Sequence, residues 1–205
     1  EETEMNVVNA MTSGTTISGY VSTSAAYNLN TANNGTDAAY PIGSGKANGF
    51  NLDVVNLTIE KPLDESEWAA GYKAELLFGP DASGVGTAIG NTASSAGFAG
   101  SIGSDLAVKQ AYVNLRAPVG NGLEFKMGVF DTIIGYEAFN YNANPNYTRS
   151  LGWNIEPTQH TGLLASYQIT DIISIVGGVA DTASAPINNR AAYTGVDTTQ
   201  DQWNL

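Results

Sequence analysis

Residues 110–131, QAYVNLRAPVGNGLEFKMGVFD, alternate apolar and polar side chains along two arms joined by a turn, and no other stretch restricts the chain as much. On the first arm Ala111, Val113, Leu115 and Ala117 alternate with Gln110, Tyr112, Asn114 and Arg116. Period two is the mark of a strand with one apolar and one polar face. On the second arm Leu123, Phe125, Met127 and Val129 share one face, and Glu124, Lys126 and Gly128 share the other. Pro118, Gly120, Asn121 and Gly122 supply the backbone freedom of a tight turn. The hairpin carries charge on one side only. Two architectures present such a sheet: a membrane barrel with a wet lumen, and a soluble sandwich with one face in water.

Five more segments carry the same alternation. Residues 15–28 place Ile17, Gly19, Val21 and Ala25 opposite Ser18, Tyr20, Ser22 and Ser24. Residues 50–60 turn Val55, Leu57 and Ile59 outward and Asn56, Thr58 and Glu60 inward. Residues 68–78 set Trp68, Ala70, Tyr72, Ala74, Leu76 and Phe78 against Gly71, Lys73 and Glu75. Residues 158–169 set Thr161, Leu163, Ala165, Tyr167 and Ile169 against His160, Gly162, Ser166 and Gln168; residues 172–181 put Ile173, Ile175 and Val179 outside. The sequence thus predicts seven strands.

Between them, short turns (KPLDESE, PVGNG, and Thr170 with Asp171) alternate with long segments at 29–49, 79–104 and 132–157. The second long segment is almost wholly Gly, Ser, Ala and Thr, and is expected to form no core. Strict alternation of short turns with long loops is the habit of outer-membrane barrels, whereas a compact soluble domain seldom carries several such loops. Composition agrees: charged residues are only 14%, yet the mean hydropathy of -0.11 is too polar for a helical membrane protein. The longest apolar run, 172–180, is far short of the ~20 residues of a spanning helix. The fold class expected is all-β, an antiparallel transmembrane up-and-down β-barrel with short periplasmic turns and long extracellular loops. Residues 1–14 are expected to be a tether or short helix, and 15–205 the N-terminal part of the barrel.

The blocks ISGYVSTSAAYN, LTIEKPLDESEWAAGYKAELLFGPDA, AVKQAYVNLRAPVGNGLEFKMGVFDTIIGYEAFNYNANPNYTRS and EPTQHTGLLASYQITD resemble the OmpL-like β-barrel porins, and they cover most of 17–171. The resemblance implies an outer-membrane pore for small hydrophilic solutes or ions in a diderm, Gram-negative bacterium, made after removal of a signal peptide. It transfers no catalytic residues. Similar proteins are nearly twice as long and close on a terminal aromatic strand, which DQWNL is not, so the chain is expected to be an N-terminal portion.

No enzyme is expected. His160 is the only histidine, and no GxSxG elbow supplies a nucleophile for it. GSGK at 43–46 lacks the rest of a phosphate loop, and Asp81 in GPDASGVG is one carboxylate where a hard cation needs several. With no cysteine, thiolate metal sites and haem attachment are out, and neither cofactor nor metal is expected. A net charge of -12 repels nucleic acid. The partners expected are outer-membrane lipid, small hydrophilic solutes and further copies of the chain. Expected on the lipid face are Leu57, Trp68, Leu76, Val113, Leu115, Phe125, Met127, Leu163 and Ile175. Expected pore-lining residues are Glu60, Lys73, Glu75, Tyr112, Asn114, Arg116, Glu124 and Lys126. The aromatic third loop, with Asp131, Tyr136, Glu137 and Arg149, is expected to fold inward as a constriction, Asp131 and Glu137 approaching Lys73, Arg116 and Lys126. Three functional classes stay open: a diffusion porin, a non-conducting barrel with a structural, adhesive or sheath role, and a soluble secreted β-rich binding module.

Overall fold

The alternating segments become strands. A computed structural model describes residues 14–26, 49–85, 87, 105–146, 149–181 and 187–188. The N-terminal tether, most of the first long loop with its GSGK, much of the second loop and nearly all of the tail lie outside the described residues. Seven strands form, β1 (Thr16–Ala26), β2 (Gly49–Lys61), β3 (Ala69–Phe78), β4 (Leu106–Ala117), β5 (Leu123–Asp131), β6 (Gln159–Thr170) and β7 (Ile173–Ala180). They pair antiparallel in chain order, so the sheet is one meander with β1 and β7 at its edges. Among the described residues there is no α-helix, and no helix is long and apolar enough to cross a membrane.

Register keeps each face uniform across strands. Val113 stands opposite Met127 and Met127 opposite Leu163, while Leu115 stands opposite Phe125. On the other side Glu60 pairs with Lys73, Lys73 with Tyr112, and Asn114 with Lys126. The apolar rows are left uncovered: Met127 is 58% exposed, and Ile17, Val21, Val113, Leu115, Leu163, Ile173 and Ile175 are exposed with it. A soluble sheet would bury this face.

Two irregularities of register matter for the polar face. Ser22 pairs with Val54 and Thr23 with Leu52, leaving Asp53 as an extra residue; Glu75 pairs with Gln110 and Leu76 with Val108, leaving Lys109 as another. Such bulges re-aim a side chain. Asp53 and Val54 are both 0% exposed, and Lys109, at 1%, is buried beside Gln110. Strict period two sends Asp53 and Lys109 to the apolar face; the bulges turn both to the polar one.

The second long loop departs from expectation, because it does contribute to a core. Gly79, at φ 111 and donating its N–H to the Asp105 carbonyl at 2.8 Å, turns the chain into a 3-10 helix, Pro80–Gly84. Ala82 and Val85 then join Val54, Leu77, Ala107 and Phe139 in a buried cluster, with Tyr20, Tyr141 and Trp153 packed against it. At the opposite, short-turn end, hydrogen bonds from the Ser66 side chain and backbone hold the Asp64 carboxyl below its ordinary range.

Candidate functional site

The polar face carries a connected set of charges. Glu75 of β3 accepts from Asn56 Nδ2 at 2.8 Å and Gln110 Nε2 at 2.7 Å, and lies 3.4 Å from Lys109 Nζ and 3.9 Å from Lys73 Nζ. Lys109 reaches on to Asp131 at 2.6 Å, and Lys73 to Glu60 at 3.8 Å. Gln110 also accepts from the Asp131 N–H at 3.2 Å, and Gln159 donates to Asp131 at 3.4 Å. The set therefore runs from β2 to β6. A buried lysine between two carboxylates is tolerable only because each partner is further hydrogen-bonded. Asp53 is held separately by the hydroxyls of Ser22 and Ser24, at 2.9 and 2.7 Å.

Toward the short turns Arg116 donates to Glu124 from Nε at 3.1 Å and Nη2 at 2.5 Å, and from Nη1 to the Asp64 carbonyl at 2.9 Å. Lys126 lies 4.6 Å above the Tyr112 ring centre. The eight residues expected to line a pore, Glu60, Lys73, Glu75, Tyr112, Asn114, Arg116, Glu124 and Lys126, thus share one face. Glu75 is spent within the network; the others keep some exposure.

The third long loop lies against this same face. Phe139 fills the cluster over Val54, Leu77 and Ala107, the Tyr20 hydroxyl donates to Asn140 Oδ1 at 3.1 Å, and the Tyr141 hydroxyl donates to Asp81. Arg149 donates to the Phe139 carbonyl at 2.7 Å and stacks on the rings of Tyr141 and Trp153. Asn144 closes the loop on itself, exchanging hydrogen bonds with Ala138 at 2.9 and 2.8 Å. A loop that starts after β5 thus reaches β1 across the sheet.

Its charges form no ion pair with the partners expected of them. Asp131 pairs with Lys109 rather than with Lys73, Arg116 or Lys126, which the bulge at Lys109 explains. Glu137 accepts from Ser150 N–H and hydroxyl inside the loop, Arg149 serves as a loop brace, and Tyr136 is exposed. Sequence reasoning missed Lys109, Asp53 and Gln159. A signal existed for the first two: each is a charge out of phase with its strand's alternation. His160 sits at the loop end of β6, its Nε2 3.0 Å from Thr132 Oγ1. Asp81 is buried against Tyr141.

Asp53, Glu60, Glu75, Glu124 and Asp131 against Lys73, Lys109, Arg116 and Lys126 leave the strands' polar face one net negative charge. Most of the chain's -12 lies elsewhere.

An antiparallel meander with an uncovered apolar face and a charged, hydrogen-bonded opposite face is the wall of a transmembrane up-and-down β-barrel. The family model of beta-barrel porin-2, OmpL-like, matches residues 14–204, and the chain belongs to that family. No curated protein and no solved structure matches it.

Proposed function

We propose that this sheet is part of the wall of an outer-membrane channel through which small hydrophilic solutes and ions diffuse passively. The observation that carries this reading is the division of the sheet's two faces: one apolar and exposed from β1 to β7, the other lined by paired charges and polar side chains. On that reading the apolar face meets lipid. Trp68 and Phe78 fit as its two aromatic margins, since ten strand steps span about 34 Å. At the usual tilt of ~40° this is about 26 Å along the membrane normal, near the ~25 Å apolar band of such barrels.

The third loop, docked on the polar face by Phe139, is read as narrowing the lumen at its extracellular end. Residues 15–205 serve as barrel wall and 1–14 as a tether. Among the described residues β1 and β7 each pair on one side only, and in lipid a barrel is closed when such edges are paired.

The test is conductance: the full-length protein in planar bilayers gives discrete, ohmic steps in potassium chloride. Protein that inserts, as judged by heat-modifiable migration, but gives no steps would instead identify a non-conducting barrel.

A further inference from the structure

Lys73, Lys109 and Arg116 are each within an ion pair, and Lys126 is the exception among the described cations of the polar face. Its ammonium contacts only the Tyr112 ring, at 4.6 Å. The ring leaves part of the three-donor ammonium unused. Its surroundings are built to keep it so. Across β4 its register partner is the neutral Asn114, and across β6 it is Leu164; neither can neutralise it. Tyr112 faces Gly128, where a Cβ would lie 2.3 Å from the Ala111 carbonyl oxygen, and Gly128 in turn faces Gly162. Beside the lysine the wall therefore has no side chains at those two positions. The charged groups around it are Lys73, one register row away beside Tyr112, and Glu60, Glu124 and Asp131, none of which forms an ion pair with it.

We propose that Lys126, standing on the Tyr112 ring beside the Gly128–Gly162 floor, is a contact site for anionic solutes, carboxylates or phosphates, on a wall whose other described cations are each held in an ion pair. This rests on the channel reading and gives it a substrate class. An unpaired lysine in a partly desolvated wall binds a passing anion by a charge-assisted hydrogen bond.

The experiment uses full-length protein in detergent and in planar bilayers, with inorganic phosphate as the probe. Phosphate binding is measured by calorimetry, and phosphate block of the chloride-carrying current by single-channel recording, for wild type, Lys126→Met and Lys126→Arg. Expected are saturable binding and block in wild type that weaken with added salt, a loss of about tenfold or more in Lys126→Met, and retention in Lys126→Arg. Heat-modifiable migration verifies that each variant is folded. Equal phosphate affinity in wild type and Lys126→Met, or no binding by wild type, overturns the proposal. A wild type that binds phosphate without conducting overturns the channel reading and spares the site.

Discussion

At the scale of single residues, Lys109 is the most consequential side chain and the least expected. The alternation of 110–117, extended backward, puts it on the apolar face beside Ala111 and Val113; the bulge turns it beneath Gln110, between Glu75 and Asp131. Removing one partner from a buried ion pair leaves the other without compensation, so Lys109→Met is expected to destabilise the folded protein by about 3 kcal/mol. Urea unfolding in detergent, followed by tryptophan fluorescence, measures the loss; a Lys109→Met variant as stable as the unaltered protein would contradict the placement. The same displacement turns Asp53 toward Ser22 and Ser24. At Asp53 and Lys109 the charge in the apolar phase of the strand marks a bulge, which turns it away from the lipid-facing side. That signal was present in the sequence, and strict period two hid it.

At the scale of elements, the strands were legible and the loops were not. Strand limits follow from local alternation and turn residues, and the observed strands match them closely, except that β4 begins earlier, at Leu106. The core over the polar face has a different origin. Ala82 and Val85 come from the second loop, Phe139 from the third, and Val54, Leu77 and Ala107 from three strands. Small residues read alone as structureless; they pack because a Phe arrives from more than fifty residues away. No local pattern encodes that meeting. Phe139→Ala is expected to cost about 3 kcal/mol of loop docking. Protease cleavage within 132–157 should then appear, and single-channel conductance should rise. Unchanged cleavage and conductance would mean that the loop does not narrow the path.

At the scale of the whole molecule, the arrangement stands on which face meets lipid. Arg at Val113, near the middle of β4 on the apolar face, is expected to cost about 2 to 4 kcal/mol, whereas Arg at Asn114 is tolerated. Folding yields into vesicles compare the two; equal yields would remove the facing assignment. The chain has no cysteine, so single cysteines can report that assignment residue by residue. The most direct measurement is labelling of cysteines at 111 to 116, one at a time, by a membrane-impermeant maleimide on protein reconstituted in bilayers. The account predicts labelling at Tyr112, Asn114 and Arg116 and protection at Ala111, Val113 and Leu115. Uniform labelling, or labelling in the opposite phase, would contradict it.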